Sequence, residues 1–312
     1  MKIFVTGAMG YKGTVLVPRL LECGYDVIAF DIGWFGNRLK KHHNLRVIEG
    51  DIRDPSSYSL EGVEAVIHLA SIANDPAGDL NPKLTWEISC LATHQLIEKS
   101  VRSGVKQFLY ASSGSVYGIK DEEHVTEELS LLPLTEYNKT KMCAERIIKS
   151  YSDEIITQII RPATVCGFSP TMRNDVSVNL LTFAALKQNK ITVFGGKQVR
   201  PNIHIQDIVN VYLHFLKNSK LSGVFNAGFE NISILDIAKN VQQYLDVDIE
   251  ITPSNDPRSY RINSDKLIST GFTPKRSVSY AIQEMIEKFN AGQWKQDDSF
   301  YRMKWMKGQS LC

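Results

Sequence analysis

The run Thr6-Gly7-Ala8-Met9-Gly10-Tyr11-Lys12-Gly13 constrains this chain more than any other feature, because of what flanks it. Lys2 to Thr6 is a short β-branched and aromatic stretch, and Val15 to Cys23 carries apolar residues at helical spacing. The glycines therefore occupy a strand-to-helix turn. Glycine lets the backbone turn tightly and approach a ligand closely, while the N–H groups and dipole at the helix start attract negative charge such as a pyrophosphate. A glycine turn that merely packs helix on strand meets the same local description. Asp31 separates the two readings. It ends the next strand-like run about 20 residues past the loop, where a carboxylate accepts hydrogen bonds from the adenosine ribose hydroxyls. The same charge repels a 2′-phosphate, and no Arg or Lys follows until Arg38, so NAD is expected over NADP.

The rhythm of the opening recurs. Asp26 to Asp31, Leu45 to Glu49, Ala65 to Leu69, Gln107 to Ala111 and Ile155 to Ile160 read as strands separated by longer, often helical stretches. Strands alternating with helices predict an α/β fold of Rossmann type, a doubly wound parallel sheet. The strands are continuously apolar, as expected when both faces of a sheet are covered. After Arg161-Pro162 the rhythm loosens into a helix around Val178 to Gln188 and a strand at Ile191 to Phe194. The expected division is a Rossmann domain over residues 1–165 and a smaller substrate lobe with the C-terminal tail over 166–312. Short strands near Ile203 to Ile205 and Val224 to Ala227 are expected to return to the first sheet, so that the lobes interleave.

Composition narrows the function classes. Lys plus Arg number 36 against 34 Asp plus Glu, too near balance for a domain that binds by neutralising phosphate backbones, so nucleic acid is not an expected partner. Five scattered cysteines without a Cys-x-x-Cys pair point to a reducing compartment and no zinc site. No apolar run approaches the ~20 residues that span a bilayer, and Ile3-Phe4-Val5 meets the glycine loop too early for a signal peptide. No membrane is expected, and the expected location is the cytoplasm.

Ligands in such sheets bind at the carboxyl ends of the strands, which brings in Asp51, Ile52, Leu69, Ala70 and Ser71. Tyr137 and Lys141 open a helical stretch and share one of its faces. A phenol titrates near 10, so a useful base at neutral pH needs a shift of about 3 units, or ~4 kcal/mol. The lysine ammonium one turn away and a positively charged nicotinamide are expected to supply much of it. A surface i,i+4 pair satisfies the same spacing. Ser112-Ser113-Gly114-Ser115-Val116-Tyr117-Gly118 follows the fifth strand, so its hydroxyls emerge at the same edge.

In order and spacing, the glycine loop, the serine segment and Tyr137-x-x-x-Lys141 resemble the extended short-chain dehydrogenase/reductase family, over roughly residues 1 to 290. The resemblance implies Tyr137 as acid/base, Lys141 as the residue that lowers its pKa and holds the nicotinamide ribose, Ser113 as the hydroxyl on the reacting sugar oxygen, and Ala163 beside the cofactor. Arg161 to Gly167, Ile191 to Asp207 and Asp256-Pro257-Arg258 resemble the nucleotide-sugar epimerase and dehydratase branch, UDP-glucose 4-epimerases among them. That likeness implies Arg200 and Arg258 on the substrate diphosphate, a task suited to a planar, permanently charged fork. It also implies Asn179 and Thr192 to Phe194 around the sugar and nucleotide, and a homodimer paired through the helices that carry Tyr137 and follow Leu84. Ser89, Thr164 and Cys166 depart from residues usual in relatives, which leaves the sugar's identity open. Asp207 and His204 are expected to cap and pack rather than react. The tail from Gln293 to Cys312 lies outside the resemblance and is expected to fold back over the chain or a partner subunit.

Three function classes remain: a sugar-modifying enzyme that recycles its NAD, a net oxidoreductase, and a non-catalytic NAD-sensing regulator. Dehydratases of this branch usually carry acidic residues directly after the serine or threonine; here those places are Gly114 and Ser115. The expected reaction is therefore reversible 4-epimerisation of a nucleotide-diphosphate sugar, with net oxidation at carbon 4 as the alternative.

Overall fold

The computed structural model describes residues 1–254 and 259–309. Its strands are β1 (Lys2–Thr6), β2 (Asp26–Asp31), β3 (Leu45–Glu49), β4 (Ala65–His68), β5 (Gln107–Ala111), β6 (Ile156–Pro162), β7 (Thr164–Cys166), β8 (Lys190–Phe194), β9 (Val199–His204), β10 (Gly223–Ala227), β11 (Glu230–Ser233) and β12 (Asp248–Thr252). The α-helices are α1 (Gly13–Glu22), α2 (Asp75–Leu80), α3 (Pro82–Trp86), α4 (Ala92–Arg102), α5 (Glu136–Lys149), α6 (Ser177–Gln188), α7 (Ile205–Lys217), α8 (Ile234–Gln242), α9 (Asp265–Ser269), α10 (Val278–Asn290) and α11 (Arg302–Gly308).

Seven strands form one parallel sheet in the order β10-β6-β5-β4-β1-β2-β3. The order reverses beside β1, the switch point that opens a ligand crevice in Rossmann-type folds. Both faces are covered. Along β1, Ile3 and Val5 enter a core built with α1 and α7, whereas Phe4 enters a second core with Phe30, Tyr58 and residues of α4 and α5. Alternate residues of one strand thus reach opposite apolar layers, which is why the strand carries no polar alternation.

The return of the chain to this sheet is half of what the sequence leads one to expect. β10 pairs with β6, but Ile203 belongs to β9, which pairs with β7 and β11 in a separate three-stranded sheet. Local apolar character marks both segments as strands and carries no information about which edge each one meets. β8 and β12 make a further two-stranded ribbon. His204 caps α7 through the Gln206 amide and contacts Glu284, and Asp207 accepts the amides of Lys275 and Arg276, as capping and packing roles require. Among the described residues, no helix is long and apolar enough to cross a membrane.

Candidate active site

A cleft of about 800 Å³ runs along the carboxyl edge of the large sheet, from Asp31 past the glycine loop to Ser113 and Tyr137, then out to β8 and β9. At its first end Gly7 adopts φ +65°, and a β-carbon there would lie 2.7 Å from the Ala70 amide nitrogen. A β-carbon on Gly13 would overlap the Gly7 carbonyl. Glycine is therefore required to seat the loop against β4 and α1. The Asp31 oxygens accept one amide each, from Met9 at 2.9 Å and Gly33 at 2.9 Å, which orients the carboxylate and leaves lone pairs toward the cleft. Burial raises its pKa, opposed by the two amides and by Arg302. These features fit an adenine dinucleotide: a tight turn at a helix start, a ribose-facing carboxylate and an elongated cleft.

Most residues singled out from sequence line this cleft. Gly10, Tyr11 and Lys12 sit on the loop, and Asp51, Ile52, Leu69, Ala70 and Ser71 stand at the ends of β3 and β4. Ala163 and Thr164 follow β6; Thr192, Phe194 and Arg200 close the far end. Tyr11 also reaches across to donate to the Gly167 carbonyl at 2.8 Å, tying the glycine loop to the substrate lobe. Asn179 lies behind that contact. It is fully buried, accepts the Gly167 amide and donates to Tyr11 and the Arg173 carbonyl, so its side chain shapes the turn and does not face the cleft. Arg258 lies outside the described residues. Ser89 bonds Ser71, and Cys166 is buried against the Ile203 carbonyl, so both support the walls.

The residues expected to be catalytic come together where three loops meet. Thr135 caps α5 through the Asn138 amide, which fixes where Tyr137 leaves the helix. Ser113 lies at the end of β5 with its hydroxyl 2.7 Å from Ser115 Oγ, and Ser115 donates to Asn138 Oδ1. Behind this loop, Arg161 holds Glu145 bidentately at 2.9 and 2.7 Å and donates to Tyr117, while Ser112 donates to Glu145.

The electrostatics of Tyr137 differ from the expectation. Burial pushes the phenol up to about 12 and Asp75 adds to the rise, while Ser113 and Arg173 pull it down. Lys141 shares its face but donates to the Ala111 carbonyl at 2.8 Å, with its ammonium 5.8 Å from the Tyr137 ring centre. Burial also pushes that ammonium well below the usual lysine range. In this arrangement desolvation, joined by the Asp75 charge, outweighs the pull of Ser113 and Arg173, and the phenol stays above its ordinary range.

Arg173 and Asp175 were not legible as site residues. They form an ion pair at 2.9 Å on the cleft wall, and Asn74 donates to Asp175 at 3.0 Å. An Arg and an Asp two apart just before a helix is a weak signal, since loops commonly carry such pairs on their surface. Asp75, next to Asn74, accepts from Thr135 and Asn138 at 2.7 Å each.

The profile of a family described as "NAD dependent epimerase/dehydratase family" matches residues 3–228. A UDP-glucose 4-epimerase of Lactobacillus helveticus is 28% identical over 307 residues, covering 88% of this chain and 92% of its own length. The solved structure of MoeE5 in complex with UDP-glucuronic acid and NAD superposes with a TM-score of 0.84 at 26% identity, over 94% of this chain and 100% of the other. A UDP-glucose 4-epimerase of Thermotoga maritima with UDP-glucose superposes with a TM-score of 0.86 at 25% identity, over 94% and 100%.

Proposed function

Because this chain belongs to the NAD-dependent epimerase/dehydratase family, we propose that it catalyses reversible 4-epimerisation of a nucleotide-diphosphate hexose, with UDP-hexoses as the first substrate class to test. The observation that carries this reading is the meeting of Tyr137 and Ser113 in a cleft whose carboxylates, among the described residues, are all engaged. Asp31 holds two amides, Asp51 holds Arg53, Asp75 holds Thr135 and Asn138, and Asp175 holds Arg173.

NAD, when bound, supplies the hydride acceptor at sugar carbon 4 and a positive charge beside the phenol. Tyr137 would take the proton of the sugar 4-hydroxyl and later return it to the same oxygen. Ser113 hydrogen-bonds the same oxygen. Lys141, whose ammonium lies 5.8 Å from the Tyr137 ring centre, would hold the nicotinamide ribose, and Arg200 meets the substrate diphosphate, with Thr192 and Phe194 around the sugar nucleotide. Asp31 holds the adenosine ribose. A 4,6-dehydration would also need an acid to expel the 6-hydroxyl. The two positions after Ser113 are Gly114 and Ser115, neither of which carries an acid, and a β-carbon at Gly114 would press on the Ile262 side chain and the Pro162 carbonyl.

The same reading divides the chain into a Rossmann domain over 1–165 with β10 and a substrate lobe beyond. It includes a homodimer paired through α5 and the helices after Leu84, in a reducing cytoplasm suited to the described cysteines, all of them free. The test is incubation with NAD and UDP-, GDP-, dTDP- and CDP-hexoses. Epimerisation gives an isobaric product with little absorbance gain at 340 nm. Loss of 2 Da with accumulating NADH would establish net oxidation instead, and loss of 18 Da would establish dehydration.

A further inference from the structure

The C-terminal segment beyond α10 crosses from one wall of the cleft to the other. Trp294 is 1% exposed, with its ring 4.9 Å from Phe183 and its indole N–H donating to Asn174 Oδ1 at 3.2 Å. The Asn174 amide donates in turn to the Phe300 carbonyl at 2.9 Å. These contacts anchor the segment beside the Arg173–Asp175 pair of the substrate lobe. Its other end reaches the loop after β2. Arg38 pairs with Asp297 at 2.9 Å, and Trp305 packs 5.6 Å from Trp34 and 4.9 Å from Phe35. Trp34 and Phe35 themselves line the cleft on the Asp31 side.

Between the anchors, Arg302 is the one side chain of the described segment that lines the cleft. It is 5% exposed, and its guanidinium lies 3.5 Å over the Phe35 ring centre. Among the described residues, its hydrogen bonds go to the Ser299 and Met172 carbonyls rather than to a carboxylate. Burial and the neighbouring Arg173 push Arg302 down to about 9, while Asp175, Asp31 and Asp297 pull it up. Burial and then Arg173 likewise depress Lys12 on the glycine loop. Like charges enclosed together are relieved by an anion placed among them. A purely structural arginine at this depth would be expected to hold a carboxylate directly.

We propose that residues Trp294–Gln309 strap the dinucleotide into its cleft and that Arg302 is a cofactor-binding residue, presenting its guanidinium to the NAD pyrophosphate that the glycine loop holds. The proposal rests on NAD as cofactor and is independent of which sugar the enzyme takes. The dinucleotide is then retained through successive turnovers, while substrate enters at the far end between Phe194 and Arg200. Strap opening, rather than the glycine loop, sets the rate at which NAD leaves.

The test is NAD release from the full-length chain, loaded with NAD and chased with excess etheno-NAD, followed by fluorescence. Arg302→Gln is expected to speed release at least about tenfold and Arg302→Lys less, with the melting temperature of the NAD-free protein little changed. Trp305→Leu, which loosens the strap without altering a cleft-lining side chain, is expected to speed release as well. NAD bound with unaltered release in Arg302→Gln would overturn the proposal. Should Arg302→Gln fail to fold, Trp305→Leu decides, and unchanged release there overturns it. A wild-type chain that binds no NAD by calorimetry would overturn the cofactor reading and the strap together.

Discussion

Gly78 and Tyr137 pack so closely that a β-carbon on the glycine would lie 2.8 Å from the tyrosine's Cβ and 3.2 Å from its backbone nitrogen. Helix α2, which carries Gly78, is held to the start of α5 by Asp75 and by Asp79, which accepts the Glu136 amide at 3.0 Å. The position of the phenol is therefore set from a second helix. Gly78→Ala must push the two apart, and is expected to destabilise by about 1–3 kcal/mol. It should lower kcat more than it alters KM for the sugar nucleotide, as thermal unfolding and steady-state kinetics would show. A wild-type kcat would mean that α2 does not position Tyr137.

Tyr137→Phe keeps the ring and removes the proton carrier. Turnover is expected to fall by about 10²–10⁴ or more while NAD affinity stays within a few-fold. The charges around the phenol give a finer test. Asp75 raises its pKa and Arg173 lowers it. Asp75→Asn removes a negative charge that disfavours the phenolate, so the acid limb of the pH–rate profile should move to lower pH. Arg173→Gln should move the same limb to higher pH. Shifts in the same direction would show that both changes act through folding rather than through the phenol.

Asp31→Ser is expected to weaken NAD binding and narrow the preference for NAD over NADP, since it removes an acceptor for the ribose and a charge that repels a 2′-phosphate. Isothermal titration with both dinucleotides decides it. Unchanged selectivity would place the ribose elsewhere.

Burial and then Arg173 push Lys12 down to about 8. Below that pH it is charged and adds to the attraction of the glycine loop for phosphate; above it the charge is lost. Bound pyrophosphate raises its pKa, so protons are taken up on binding near pH 8–9 and NAD affinity falls as pH rises through that range. Calorimetry in buffers of different ionisation enthalpy measures the uptake. Lys12→Met should lower it, leaving the part that Arg302, pushed down to about 9, contributes.

Glu145 and Arg161 are 1% and 2% exposed and paired at 2.7 Å behind the serine loop. Glu145→Ala leaves a buried guanidinium uncompensated and is expected to cost about 3–5 kcal/mol in denaturant unfolding. Glu145→Leu combined with Arg161→Met should recover part of that loss. Full stability of the single variant would mean that solvent reaches Arg161.

In a doubly wound α/β chain the carboxyl end of each parallel strand falls on one edge, so a motif that follows a strand is placed in the cleft by local pattern alone. Gly7, Gly10, Asp31 and Ser113 were legible for that reason, and Tyr137 and Lys141 through helical spacing. The partners of β9, the cleft-facing Arg173–Asp175 pair and the place of Arg302 on the cleft wall were not. They join residues far apart in sequence, and nothing in their neighbours records the encounter. The same division holds for the chemistry. Sequence determined that a phenol and an amine share one face of α5. The tertiary structure decided how each titrates, because desolvation depends on every wall packed around a group and not on its neighbours along the chain.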